Sequence, residues 1–278
     1  MGTSQSSKGA QGKVPLVPPW ADDGNDNNKP DQPDDKKTED ENKIPSPLKD
    51  LPLAPAGRFK GARTNINSFA KNGDTDKLRK GVGHYIKTGY GGSKTATKRL
   101  SRTINTAGVL FDFLSSISTG QTSSGEPFQD LDIQSFTGKG EDEITDAIIN
   151  AVRPIDGDLD SEASQDSIKE AFSELLEKEE NTDLLNLTDE QRLFVVEKFV
   201  ANDVFARFNL DMGKNILDSA PTNIAASRLK EAKDYIREAV SAKFREKITK
   251  DTVSPFSIRN LIQDVLTETF KIFESYAQ

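Results

Sequence analysis

The clearest indication of the fold comes from residues 188–208, TDEQRLFVVEKFVANDVFARF. Thr188 and Gln191 are spaced as a capping box, in which each side chain bonds the other residue's backbone N–H at the start of a helix. Behind this cap the apolar residues recur at helical spacing over a broad face: Leu193, Val196, Val200, Val204, Phe205 and Phe208. A face this wide needs neighbours on several sides, so we predict that this helix is the central member of a bundle.

Segments on both sides of this helix repeat the same period. Helices are predicted over residues 58–71, 75–88, 93–118, 141–152 and 164–178, in a stripe from Ala225 to Val240, and from Ser254-Pro255 to the C-terminus. In the 93–118 helix one face holds Leu100, Ile104, Ala107, Phe111, Leu114 and Ile117. No alternation of period two persists with turn residues around it. We therefore predict an all-α helical bundle with little or no sheet.

Charge divides the chain into blocks. Residues 1–55 contain 7 Lys/Arg and 10 Asp/Glu, residues 56–102 contain 12 and 2, and residues 103–278 contain 18 and 33. Between residues 21 and 50 almost nothing is apolar, so no burial offsets the chain entropy. We expect three regions: a disordered N-terminal arm with a Pro-rich linker (1–55), a basic Gly-rich helical region (56–120) and an acidic helical bundle (121–278).

The chain lacks the residues that most enzyme chemistries need. The chain has no cysteine and a single histidine, His84, so thiolate sites, histidine clusters and Ser–His–Asp triads are excluded. Residues 89–95 (GYGGSKT) resemble a phosphate-binding loop, but Ser93 separates the glycines from Lys94. Residues 156–160 (DGDLD) imitate a calcium loop whose later Gly and Glu are missing. We expect no enzyme, no metal and no cofactor.

The sequence also bears on location. No stretch approaches the ~20 apolar residues that a membrane helix needs, and the N-terminus lacks the basic-then-apolar order of a secretory signal. A cytoplasmic protein without membrane association is the simplest interpretation.

The basic block suggests an interaction surface. Seven of its cations are candidate contacts: Arg58, Lys60, Arg63, Lys94, Lys98, Arg99 and Arg102. A nucleic-acid-binding module is the principal alternative function, because phosphate contacts need clustered Lys and Arg. The block is equally suited to an acidic partner or to the acidic half of this chain.

The N-terminal tip concentrates recognisable features in sequence that we expect not to fold alone. Removal of Met1 would leave Gly2 with a small, unhindered α-amine, and residues 1–6 also match the N-myristoylation pattern, which makes a lipid-anchored adaptor a third hypothesis. The chain's one tryptophan follows in Leu16-Val17-Pro18-Pro19-Trp20. An extended proline segment with an aromatic anchor is typical of peptides that dock in grooves.

Together these residues carry a resemblance. The Gly2-Thr3-Ser4 start, the Gly/Ser-rich stretch, Pro15–Trp20, the acidic linker and the Gly- and Arg-rich helical region resemble the QatB family of bacterial Qat antiphage defence systems. The resemblance implies three partners: a QueC-like enzyme (QatC-like), a P-loop ATPase (QatA-like) and a TatD-like nuclease (QatD-like).

The resemblance also implies a function. QueC-like enzymes use ATP to couple a deazapurine carboxylate to an amine, and relatives in defence systems are implicated in joining a deazaguanine to an N-terminal glycine. The acceptor here would be Gly2. We further expect Thr3 and Ser4 to be recognised beside it. Our own hypothesis is that residues 14–20, with Leu16, Val17, Pro18, Pro19 and Trp20, dock on the enzyme. The protein itself would be a non-enzymatic adaptor.

Overall fold

The computed structural model describes residues 54–119, 138–153, 159–180, 182–248 and 257–278. Within these ranges all regular structure is helical, which confirms the all-α prediction. The predicted arm and most of its linker, residues 1–53, lie outside the described residues. The helices are α1 (Lys60–Asn72), α2 (Thr75–His84), α3 (Ser93–Arg99), α4 (Ser101–Thr119), α5 (Glu141–Val152), α6 (Leu159–Lys178), α7 (Asp189–Ser219), α8 (Thr222–Ile248) and α9 (Ile258–Ser275).

Helix α7 is the centre of the bundle, as its sequence predicts. It packs against α6, α8, α1 and α4. The capping box is formed in both directions, because the Gln191 backbone N–H donates to Thr188 Oγ1 at 3.2 Å and the Thr188 N–H donates to Gln191 Oε1 at 2.9 Å. Of the six apolar residues in its stripe, four are buried, while Leu193 and Phe205 are partly exposed.

The core is a single cluster that draws on all nine helices of the described part of the chain. Its largest side chains are aromatic, and each fully buried phenylalanine contributes about 1.5–3 kcal/mol through the area it removes from water. The fully buried phenylalanines are Phe69, Phe172, Phe199, Phe208, Phe244, Phe270 and Phe273. This cluster joins residues on both sides of position 120.

Three predicted helix boundaries are corrected. The 93–118 helix is broken at Leu100, whose φ of −93° and ψ of 19° depart from the helix. Just before the break the Thr97 hydroxyl donates to the Ser93 carbonyl at 3.0 Å, a bond of the kind that competes with the helical ladder. The break allows α3 to pack on α9 while α4 packs on α7. The stripe predicted from Leu100 to Ile117 is buried throughout, so the face was assigned correctly.

Helix α6 begins at Leu159, five residues before the predicted start, and its second residue, Asp160, pairs with Arg207 of α7. The 75–88 helix stays α-helical only to His84 and then widens into a π-turn over Tyr85–Gly89. The cap predicted at Ser254-Pro255 lies outside the described residues, and α9 begins at Ile258. In the described part of the chain, none of the helices combines the length and apolar character that crossing a bilayer requires.

Candidate functional site

A cluster of two tyrosines and one carboxylate lies where the π-turn meets α7. The hydroxyls of Tyr85 and Tyr90 each lie 2.8 Å from Asp211 Oδ2, and they lie 2.9 Å from each other. Each phenol has one proton to donate. Both tyrosines therefore donate to the carboxylate when it is ionised, and Asp211 satisfies two buried hydroxyls at once.

The local sequence explains how the tyrosines reach this position. The π-turn places the Tyr90 N–H on the Tyr85 carbonyl, 3.0 Å away, and so brings two side chains five residues apart to the same side. Gly89 is needed because a Cβ there would lie 2.3 Å from the Phe59 ring. Turns of this type inside helices are rare and frequently mark functional sites.

Two arginines of the basic block turn toward this cluster. The Arg99 guanidinium lies 4.8 Å from the centre of the Tyr90 ring, and that of Arg58 lies 4.9 Å from the centre of the Phe59 ring. Partial burial, followed by repulsion from Arg99, lowers the pKa of Arg58. Burial, reinforced by the nearby charge of Asp211, raises the pKa of both tyrosines. The phenols thus stay neutral and act as hydrogen-bond donors.

A polar pocket of about 130 Å³ adjoins the cluster. Its wall carries two positively charged side chains, Arg99 and Arg207, and two negatively charged ones, Asp160 and Asp211. Arg207 pairs with Asp160, which belongs to the segment that imitates a calcium loop. Because opposite charges are matched within the wall, this pocket favours neither an anion nor a cation strongly.

Another carboxylate, Asp203, lies about two turns before Asp211 along α7. Asp203 is fully buried, and it accepts a hydrogen bond from Thr103 Oγ1 at 2.5 Å. Burial raises its pKa, while the neighbouring Arg207 opposes that rise. This contact ties α4 to α7 across the core.

The segment that resembles a phosphate-binding loop holds a carboxylate of the chain itself. Gly91 and Gly92 adopt positive φ values of 79° and 98°, which glycine tolerates at little cost, and they lead into α3. The Ser93 backbone N–H then donates to Glu274 Oε2 of α9 at 3.0 Å. The carboxylate of Glu274 is therefore the anion that lies at the start of α3.

The structure separates the residues predicted for the basic surface. It brings Arg58 and Arg99 together at the tyrosine cluster, leaves Arg63 and Arg102 partly buried, and exposes the lysines at 60, 94 and 98. The predicted residues Gly2, Thr3, Ser4 and Leu16 to Trp20 lie outside the described residues. Among the described residues, no group of three or more His, Asp or Glu side chains is arranged to hold a metal ion.

Sequence reasoning missed Tyr85, Tyr90 and Asp211. One signal was available, since two of the chain's four tyrosines lie five residues apart beside a glycine-rich turn. Nothing in the spacing points to Asp211, which lies 126 residues beyond Tyr85.

One comparison with known proteins finds a family. The protein-family model described as "Qat anti-phage system associated protein QatB" matches residues 91–273. The matched part runs from the start of α3 into the last turn of α9, and it does not include the N-terminal motif. The helical body therefore supports the resemblance independently of that motif. No match was found among curated proteins or among solved structures.

Proposed function

The chain belongs to the QatB family of Qat anti-phage system proteins, and from this premise we propose that it is a non-enzymatic adaptor whose Gly2 is the acceptor for a deazaguanine-type group. A QueC-like partner would supply an ATP-activated deazapurine carboxylate. The Gly2 nitrogen would lose a proton, displace the activating group and form an amide bond. The family match is the observation that carries this proposal.

The helical body supports an adaptor role through the way its polar groups are used. Glu274 occupies the start of α3, and Asp211 accepts from both buried tyrosines. Arg207 and Asp160 neutralise each other at the pocket between them. These groups stabilise the fold, and we place the reactive group of the protein at its N-terminus.

Gly2 suits the proposed chemistry for two reasons. An α-amine has a pKa of about 7.7–8.0, so a useful fraction is neutral and nucleophilic near pH 7.5, unlike a lysine amine. Glycine also has no side chain, which lets the amine enter a narrow channel beside Thr3 and Ser4.

The Leu16–Trp20 motif would dock on the modifying enzyme. Its prolines restrict φ before binding, which lowers the entropy lost on docking. Holding the motif also raises the effective concentration of Gly2 at the active site. We expect Trp20→Ala to slow modification while the far-UV circular dichroism of the helical body stays unchanged.

The direct test is intact mass with N-terminal peptide mapping. The protein is produced alone and together with the QueC-like enzyme, the P-loop ATPase and the TatD-like nuclease. We expect an added mass on Gly2 only in their company, and its loss in Gly2→Val. Lys8→Val is the matched control, because it alters the same segment and leaves the acceptor intact. An unmodified N-terminus under both conditions would refute the conjugation role.

A further inference from the structure

We propose that the groove between α6 and α7 binds the N-terminal segment Lys13–Trp20 of the same chain. This inference does not depend on conjugation at Gly2, because it concerns the isolated, unmodified protein. It gives the motif a binding site on its own chain, which the motif would occupy before a partner enzyme binds it.

The groove is an apolar surface left open by the described residues. It encloses about 340 Å³, and its walls include Leu159, Ala163, Phe205 and Leu210. Leu159 is 68% exposed and Leu210 is 45% exposed, which makes them two of the large apolar side chains most open to water. Covering them would contribute about 25 cal/mol for each Å² of apolar surface removed from water.

The rim of the groove is acidic. Glu162, Asp166 and Glu170 line its α6 side, and Lys233, which pairs with Glu170, is the one lysine or arginine among the lining residues. Two carboxylates are therefore in excess along one edge. An occupant that carries positive charge and no acid is favoured.

The floor of the groove offers a hydrogen-bond acceptor. Asn202 is 2% exposed, and its Nδ2 donates to Glu174 Oε1 at 3.4 Å. Its Oδ1 is buried and accepts no hydrogen bond from the part of the chain that the structure describes. An unsatisfied buried acceptor costs about 1–3 kcal/mol, so an occupant that brings an N–H donor is preferred.

The N-terminal segment fits each of these features. All ten acidic residues of the first 55 lie between Asp22 and Asp50, whereas residues 1–21 carry Lys8 and Lys13 and no acid. Residues 13–20 (KVPLVPPW) supply four large apolar side chains for the walls. The indole N–H of Trp20 only donates hydrogen bonds, which matches the free acceptor on Asn202.

The segment can also reach the groove. Phe59, near the first described residue, lies close to Phe205 in the groove wall. Successive ring contacts run from Phe59 to Tyr85, Phe208 and Phe205, with centroid distances of 5.3 to 6.5 Å. The 33 residues between Trp20 and Ala54 would span roughly 30 Å as a flexible chain. A tether of this length gives a local concentration of about a millimolar, so even weak binding is populated within one molecule.

The chain contains a single tryptophan, so its fluorescence reports on this segment alone. For the full-length protein we expect blue-shifted emission and protection from acrylamide. If the motif is docked in about nine tenths of the molecules, a tenfold weakening in Leu210→Glu leaves it docked in roughly half of them. The acrylamide quenching constant would then rise roughly fivefold. Leu217→Glu is the matched control, since it lies on the same helix, is 50% exposed and does not line the groove.

Asp166→Lys is a second variant at an exposed rim position, where the helical fold is not at risk. It should raise the quenching constant in the same direction by removing the attraction for Lys13. Far-UV circular dichroism verifies that each variant is folded.

Each other outcome overturns the inference. If the unaltered protein shows the emission of an exposed indole, docking is excluded. This result is expected when another segment covers the groove. Equal effects of Leu210→Glu and Leu217→Glu, or none from either, place a buried Trp20 elsewhere. Exposure that increases on dilution assigns the groove to the arm of a second copy.

Discussion

Asp211 illustrates how one side chain stabilises several others. It accepts from Tyr85 and Tyr90, and its charge partly opposes the lowering of the Arg58 pKa that burial and Arg99 cause. Without it the two phenol hydroxyls could bond only to each other, and one of their protons would be buried without an acceptor, which is the costly state for a polar group. The cluster therefore holds the π-turn against α7.

A first prediction follows for Asp211→Ala. Both tyrosine hydroxyls lose the carboxylate, and because they can then bond only to each other, one of them is left without an acceptor. We therefore expect the free energy of unfolding to fall by about 1–3 kcal/mol. Urea denaturation monitored by circular dichroism measures it. Asp211→Asn, which keeps an acceptor oxygen, should recover part of the loss, and Asp218→Ala, exposed on the same helix, should change little. Equal stability of Asp211→Ala and the unaltered protein would contradict this role.

At the scale of elements, α7 shows how local and tertiary signals combine. Its start is fixed by the Thr188–Gln191 capping box, which needs only neighbouring residues. Along its length it buries Glu197, Asn202 and Asp203 among apolar residues, because helices pack on several sides of it. The apolar stripe was visible in the sequence, but the buried polar positions depend on partners in other helices.

The cap provides a second prediction. Thr188→Ala removes the acceptor for the Gln191 N–H, so we expect a loss of about 1 kcal/mol in the free energy of unfolding. Thr188→Ser keeps a hydroxyl at the same place and should remain close to the unaltered protein. Thermal and urea unfolding of the three proteins measure the difference, and an Ala variant as stable as the Ser variant would show that the box contributes nothing.

At the scale of the whole molecule, the charge blocks are partly connected by the fold. Arg58 and Arg99 face the tyrosine cluster near Asp211, and Glu274 of α9 reaches the start of α3. Within the acidic half itself, ion pairs from α6 to α8 join Glu170 to Lys233 and Glu174 to Arg237. Part of the basic block thus serves the acidic half of the same chain.

This arrangement leads to a prediction for the alternative function. With two of the seven candidate cations turned inward, we expect weak nucleic-acid binding that is no tighter than that of the Lys94→Glu/Lys98→Glu double variant. Fluorescence anisotropy with labelled single- and double-stranded oligonucleotides at several salt concentrations tests this. Tight binding that falls steeply with salt and disappears in the double variant would instead establish a nucleic-acid surface.

The all-α class, the central helix with its cap, the buried stripe of α4 and the family resemblance can all be predicted from the order of residues along the chain. These follow from interactions within about four residues and from motifs that are read along the chain. Four features depend on tertiary contacts: the break at Leu100, the early start of α6 at Leu159, the sharing of Asp211 by two tyrosines and the carboxylate of Glu274 at the start of α3. Each depends on side chains in separate helices, and for the last two the partners are more than 100 residues apart. Such contacts form only when packing brings the helices together, so no local period encodes them.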